Sequence, residues 1–334
     1  MNKNLFLLTA CLFITLTLAL AGCSPQETLK DVAATAPTTP EPESKAPDPA
    51  SASSEEAPVG ESLYLPTLFN STAPNSDVET SSTQGLPLPP DRWQEWPVLP
   101  ALSGRAVEIY RAGLAQGRDP THFSKVGDCQ NIRQYFLGLF DQPETHRLGE
   151  NYAYLQETID YFAGSWSRSS EAVRTGFNVA SVLSPLHADP AACQPAETPL
   201  ACEIRLWNPS FAIISMETWT PDRPVKAYED YLRQIIEYAI SQNVLPILAT
   251  KADNLEGDHA INQIVANLAA EYDIPLWNFW AATHPLTDEG LMEDGFHLTN
   301  GPNYYDDPQS LDLGWPIRNL TGLLLVDTVW KATR

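Results

Sequence analysis

From about residue 91 to the last residue, short apolar runs alternate with amphipathic segments, and this alternation constrains the fold more than any other feature. The runs at 210–215 and 244–249 are apolar at nearly every position, which is typical of strands buried on both faces. The segments around them repeat apolar residues at helical spacing. Strands and helices in this order predict an α/β domain: a three-layer α/β/α sandwich around a mostly parallel sheet of about five strands.

The same pattern locates the individual elements. The predicted strands are 122–126, 172–175, 210–215, 244–249 and 274–277. The predicted helices are 106–116, 152–162, 228–240, 261–272 and 317–330, and 132–140 is a further amphipathic segment. In a sheet of this class, ligands bind at the carboxyl ends of the strands, so the loops that follow the strands are the places to look for a site.

Residues 1–22 are typical of a signal peptide. Lys3 supplies a positive charge, and an uncharged, mostly apolar run at 5–21 ends in Leu-Ala-Gly before Cys23. Small residues before a cysteine suit a lipoprotein signal peptidase, and Cys23 would then carry the lipid and become the new N-terminus. The alternative is an uncleaved membrane-spanning helix of about the minimum length. We therefore expect an exported lipoprotein, anchored to the outer face of the cell membrane or to another layer of the envelope.

The following stretch, 23–90, is rich in Pro, Ser, Thr, Ala and Glu, and ten acidic residues and two lysines lie within 24–85. Such a composition buries too little apolar surface to offset chain entropy, which predicts a lipidated, disordered tether. One apolar interruption at 63–69 could dock on the domain or remain a sticky patch within the tether. The domain itself is then 91–334, which is long enough for one substantial core.

Charge and histidine placement exclude several kinds of partner. The net charge of −22 argues against binding nucleic acid or anionic lipid through charge. His187, His259 and His284 form no recognisable metal-ligand set, and no glycine-rich phosphate loop is present. We therefore expect neither a metal nor another cofactor.

The five cysteines have different expected roles. Cys11 leaves with the signal peptide and Cys23 carries the lipid. Cys193 and Cys202 are separated by eight residues in a proline-rich segment of an exported chain, which predicts a disulfide in a loop. Cys129 remains unpaired and requires a separate explanation.

Two short motifs contain the residue types of nucleophilic catalysis. Asp294 precedes His297 by three residues, so its carboxylate can fold back and accept a hydrogen bond from the imidazole. Cys129 follows Gly127 and Asp128 at the end of a predicted strand, where helix N–H groups would lower the pKa of a thiol and Asp128 would oppose this. The alternatives are a solvent-facing Asp with an unpaired His, and a small apolar core cysteine.

Together these motifs resemble the SGNH (GDSL-type) hydrolase family over roughly residues 115–334. The resemblance implies a flavodoxin-like sandwich and ester hydrolysis by Cys129, His297 and Asp294, with Cys129 standing where the family has serine. It also implies oxyanion donors, for which Gly176 and Asn178 are the candidates in this chain.

The family's Gly-x-Asn-Asp block is degraded here. The corresponding stretch, 216–220, is Met-Glu-Thr-Trp-Thr, so the expected asparagine donor is missing. Loss of one oxyanion donor lowers turnover by about 10²–10³-fold, so the missing asparagine argues against fast ester hydrolysis. Glu217 and Trp219 could contact a sugar, or could instead be a capping Glu and a core Trp.

Lys251, Asp253 and Asn254 follow the strand 244–249 at the ligand-binding end of the sheet. We interpret them as a solvated loop, with ligand contact as the alternative.

Two functions are compatible with these residues. The first is a membrane-tethered acyl hydrolase or acyltransferase with a Cys-His-Asp triad, acting on an acylated small substrate or on O-acyl groups of a surface polysaccharide. The second is a catalytically degenerate domain that binds a glycan or a protein at the cell surface.

Overall fold

The computed structural model describes residues 88–219 and 223–334. The predicted signal peptide, Cys23, the predicted tether up to residue 87 and the apolar segment 63–69 all lie outside the described residues. Within the two described ranges, no helix is both long enough and apolar enough to cross a membrane.

The core of the domain is a four-stranded sheet in which every pairing is parallel. Its strands are β1 (Asp119–Gly127), β3 (Pro209–Ser215), β4 (Leu245–Ala249) and β5 (Leu276–Trp277), in the spatial order β1-β3-β4-β5. A separate two-stranded sheet pairs β2 (His146–Arg147) with β6 (Asn303–Tyr304). Every residue of β3 and β4 is buried, which is the pattern of strands covered on both faces.

Eight helices accompany the sheet in the described ranges. They are α1 (Gly104–Ala115), α2 (Gly149–Tyr152), α3 (Gln156–Tyr161), α4 (Pro199–Trp207), α5 (Val225–Ser241), α6 (Ala260–Tyr272), α7 (Phe279–Thr283) and α8 (Gly314–Thr333).

Two groups of helices cover the sheet. Helices α5 and α6 connect β3 to β4 and β4 to β5, contact each other and pack on β4. Because parallel crossovers are right-handed, both lie on one face. Helix α1 contacts β3, β4 and α8, which forms the other group. The predicted α/β class with a parallel sheet is therefore confirmed.

The predicted fifth strand, 172–175, is reduced to one parallel bridge between Val173 and Gly127. The backbone N–H of Gly127 donates to the carbonyl of Ala172 (3.0 Å), and the N–H of Arg174 donates to the carbonyl of Gly127 (3.4 Å). The predicted helix 152–162 is interrupted, since a 3₁₀ turn at Ala153–Leu155 separates α2 from α3.

The disulfide between Cys193 and Cys202 is present, as the sequence predicted. Its surroundings differ from the prediction of a loop, because Cys202 lies inside α4 and is fully buried. Helix α4 begins at Pro199 with Thr198 as its N-cap, whose side chain accepts from the Ala201 N–H (3.1 Å). A proline at the first helical position is compatible with a helix, so the proline content did not indicate a loop here.

Candidate active site at the carboxyl edge of the sheet

Strand β1 ends in a tight turn at Gly127, and Cys129 opens the single 3₁₀ turn Cys129–Asn131. The side-chain amide of Asn131 donates to the carbonyl of Ser215 at the end of β3 (2.8 Å). A Cβ at position 127 would collide with that amide and with the same carbonyl, so only glycine fits. The turn is therefore attached firmly to the carboxyl edge of the sheet.

Asp128 is fully buried and connects the β1 turn to the segment after β3. Its Oδ1 accepts from the N–H of Gln130 (3.0 Å), and its Oδ2 accepts from the N–H groups of Glu217 (2.8 Å) and Thr218 (2.7 Å). The carboxylate thus satisfies three backbone donors and has a structural role.

Burial raises the pKa of Asp128 to about 6, and the nearby carboxylate of Glu217 adds to the rise. A folded-state pKa above the unfolded value contributes stability that is complete below about pH 4 and is lost as the pH rises through about 6.

We expect the free energy of unfolding of wild type, relative to Asp128→Asn, to fall by on the order of 1–3 kcal/mol between pH 4 and pH 7. Urea unfolding of both proteins across this pH range measures the difference in their free energies of unfolding. A constant difference would contradict the assignment.

The thiol of Cys129 is half-buried and is not part of a disulfide. Burial raises its pKa to about 11, and the carboxylates of Asp128 and Glu217 raise it further. The backbone N–H groups of Cys129 and Gln130 act in the opposite direction but more weakly. The lowered pKa that we expected from a helix N-terminus is not found, because one 3₁₀ turn is too short to outweigh burial beside two carboxylates.

The second motif forms a compact loop around Asp294. Its Oδ1 accepts from the N–H groups of Phe296 (3.0 Å) and His297 (2.9 Å), and its Oδ2 lies 2.5 Å from Nδ1 of His297. These hydrogen bonds lower the pKa of Asp294 to about 2, with the bond to the His297 ring as the largest cause. Gly295 has a φ of +65°, which permits the tight reversal. The carboxylate holds the ring with Nε2 as its remaining polar atom.

The structure brings the two motifs together. The side-chain amide of Gln130, next to Cys129, donates to the carbonyl of Phe296, next to His297 (3.3 Å). In the described part of the chain, no hydrogen bond joins Sγ of Cys129 to the His297 ring. The nucleophile and base candidates therefore occupy adjacent loops without a direct bond.

The candidate oxyanion residues lie in an exposed turn that follows the bridge to β1. Gly176 has a φ of +84° and is exposed. The side-chain oxygen of Asn178 accepts from the N–H groups of Ala180 (3.0 Å) and Ser181 (3.2 Å) and thereby caps the turn. Only its amide nitrogen remains available as a donor to a substrate.

Glu217 is buried and is not free to reach a sugar, contrary to one of the two interpretations of its sequence context. Its Oε1 lies 2.6 Å from Nη2 of Arg318, with which it forms an ion pair, and accepts from the hydroxyl of Ser215 (2.8 Å). Trp219 is half-buried and packs edge-on against Tyr228, with ring centroids 5.7 Å apart. Glu217 therefore belongs to the buried interior, whereas Trp219 keeps part of its surface exposed.

The segment after β4 is not the solvated loop that we inferred from the sequence. Lys251 and Asp253 are buried, and Nζ of Lys251 lies 2.6 Å from carboxylate oxygens of both Asp253 and Glu256. The backbone N–H of Lys251 donates to the side chain of Asn262 (2.8 Å). One lysine followed by two acidic residues over 251–256 was the signal available in the sequence, but solvated charge runs have the same composition.

Comparison with known proteins adds little to this geometry. The chain matches no protein-family model. It matches no curated protein. Among solved structures it is similar to one described as a lipolytic protein of the G-D-S-L family from Desulfitobacterium hafniense DCB-2, at 15% identity and a TM-score of 0.37. That match covers 61% of this chain and 99% of the other.

Proposed function

We propose that this chain is an SGNH-like acyl-ester hydrolase or acyltransferase in which Cys129, His297 and Asp294 form the catalytic group. The observation that carries the proposal is the hydrogen-bonded Asp294–His297 pair in the loop that contacts the Cys129 turn through Gln130. A carboxylate that orients an imidazole beside a potential nucleophile is the arrangement that general-base catalysis requires.

The high pKa of the thiol determines the order of the proton transfers. With a pKa of about 11, Cys129 is a neutral thiol at pH 7, so no thiolate–imidazolium pair is preformed. Nε2 of His297 would take the thiol proton as sulfur attacks the acyl carbon, and would return it to the leaving alcohol. The resulting thioester would pass its acyl group to water or to an acceptor hydroxyl. The N–H of Cys129 and the side-chain amide of Asn178 are the candidate oxyanion donors.

We further propose that the domain acts outside the cytoplasm, held at the membrane by a lipid on Cys23. The support is the Leu-Ala-Gly-Cys sequence after an apolar run, followed by a long acidic, proline-rich stretch. Esters on surface glycans or on small acylated molecules are the substrates such a location offers.

A non-catalytic binding domain is the second candidate function. It is favoured by the raised pKa of Cys129 and by the absence of the family's asparagine from 216–220, where Glu217 is paired with Arg318. In that case Cys129 is inert and the surrounding clefts bind a ligand without turnover.

The test uses full-length protein, 4-nitrophenyl acetate and an acetyl thioester. We expect wild type to hydrolyse at least one of them, and Asp294→Asn to lower kcat by about 10²-fold. Replacing a buried triad carboxylate lowers kcat by about 10⁴-fold. The Asp294 side chain is 51% exposed, which weakens its effect on the imidazolium, so the expected loss is smaller.

The matched control is Glu289→Gln. His284 and Glu289 form a similar exposed pair (2.9 Å), with the His284 side chain 53% exposed against 57% for His297. Glu289→Gln is expected to leave kcat unchanged. No hydrolysis by wild type of either substrate would overturn the proposed function and favour the binding domain.

Alkylation of Cys129 provides an independent check on the thiol. Because its pKa is raised to about 11, we expect iodoacetamide to label Cys129 at pH 7 at least tenfold more slowly than free cysteine, whose pKa is about 8.5. The rate should rise as the pH approaches 11. Peptide mapping identifies the labelled residue. Fast labelling at pH 7 would instead indicate a preformed thiolate.

A further inference from the structure

A polar cleft of about 230 Å³ lies between segments that follow the two candidate catalytic motifs in the chain. It is lined by the segment that follows the Cys129 turn, by the segment that follows His297 and by the first turns of α8. Since consecutive Cα atoms are 3.8 Å apart, Arg133 lies at most about 15 Å from Cys129, and Asn300 at most about 11 Å from His297. Each side of the cleft therefore begins within about 15 Å of one of the two catalytic motifs.

The cleft contains an exposed aromatic face. Tyr135 is 51% exposed, and its ring stacks on Trp315 with centroids 5.3 Å apart and planes at 26°. The backbone carbonyl of Tyr135 accepts from the side-chain amide of Asn319 (3.0 Å), and Asn319 also accepts from the N–H of Leu137 (2.7 Å). The backbone around Tyr135 is therefore anchored to α8, while the Tyr135 side chain remains half exposed.

Apart from Arg133 and the apolar Leu139, the other lining side chains are neutral hydrogen-bonding groups. Arg133 is the one charged residue among the described residues that line the cleft, although the whole chain has a net charge of −22. Five amide side chains and one hydroxyl line the cleft together with the aromatic pair: Gln134, Gln142, Asn300, Asn303, Asn319 and Thr145.

We infer that this cleft binds one or two neutral sugar rings of a glycan, with a ring stacked on Tyr135 and hydroxyls bound by the amides. A flat aromatic face provides apolar contact for the C–H side of a sugar, and amides can both donate to and accept from hydroxyls. The volume lies below the roughly 300–1,000 Å³ of pockets that enclose a drug-sized ligand, which suits a short stretch of a longer chain crossing the surface. The absence of carboxylates among the described lining residues disfavours a cationic ligand.

The test measures binding to full-length protein, in a detergent without a sugar headgroup, by isothermal titration calorimetry. The probes are neutral hexasaccharides of β-1,4-glucose, β-1,4-mannose and β-1,4-N-acetylglucosamine, with hexagalacturonate as the anionic comparison. We expect wild type to bind at least one neutral probe. Tyr135→Ala should weaken that binding at least tenfold, and Asn300→Ala at least threefold.

Tyr154→Ala is the matched control, because Tyr154 is 52% exposed and does not line the cleft. It should change the dissociation constant less than twofold, and urea unfolding verifies that all variants fold. Binding of no neutral probe, or binding that survives both Tyr135→Ala and Asn300→Ala, would overturn the inference.

The role of this cleft in catalysis rests on the proposed function, but sugar binding and acyl hydrolysis are refuted by different results. Hydrolysis of 4-nitrophenyl acetate without binding of any sugar would refute the sugar cleft alone. Sugar binding that depends on Tyr135 in a protein without acyl hydrolysis would refute the enzyme alone. Where both hold, Tyr135→Ala should raise KM for an O-acetylated hexasaccharide at least tenfold, whereas Tyr154→Ala should leave this KM unchanged.

Discussion

Replacing Arg318 with methionine is expected to lower the free energy of unfolding by about 3–5 kcal/mol, measured by urea denaturation at pH 7. Arg318 is fully buried, and its Nη2 lies 2.6 Å from Glu217 and 2.9 Å from the hydroxyl of Ser215. Its guanidinium also lies 4.7 Å from the ring centre of Phe279 and 4.9 Å from that of Phe136. The substitution would leave the carboxylate of Glu217 buried without a cation.

Two further variants separate this cause from a general loss of packing. The double variant Arg318→Met/Glu217→Leu should regain most of the lost stability, because no unpaired charge remains. Arg92→Met removes an exposed ion pair with Glu95 and should cost less than about 1 kcal/mol. Equal losses in the single and double variants would show that packing, and not charge, explains the effect.

Replacing Cys129 with alanine is expected to reduce kcat for an activated ester at least about 10³-fold, because no other group in the proposed mechanism can attack the acyl carbon. The side chain is half-buried, so the loss of one sulfur atom should lower the free energy of unfolding by less than about 2 kcal/mol. Steady-state kinetics and urea unfolding on the same preparation measure both quantities.

A trapping experiment supports the interpretation of that loss. Rapid acid quench of wild type during turnover should leave an acyl group on the peptide that contains Cys129. The peptide from Cys129→Ala should carry none. Activity that survives in the alanine variant would end this mechanism and would require another nucleophile.

The sequence by itself predicted the parts of this protein that depend on neighbours in the chain. The apolar runs at 210–215 and 244–249 became β3 and β4, and the helical spacing that follows each run became α5 and α6, because a buried face repeats within a few residues. The hydrogen bond between Asp294 and His297 could be anticipated for the same reason, since three residues suffice for the carboxylate to fold back.

The tertiary structure alone decided the electrostatics of the site. Asp128 accepts from Glu217, 89 positions further along the chain, and Glu217 pairs with Arg318 another 101 positions on. The raised pKa of Cys129 results from that burial and from those two carboxylates. Likewise, the partners of Lys251 and the stacking of Tyr135 on Trp315 depend on which loops the sheet brings together. Local periodicity specifies elements, whereas desolvation and charge pairing depend on distances through space, which no spacing in the sequence records.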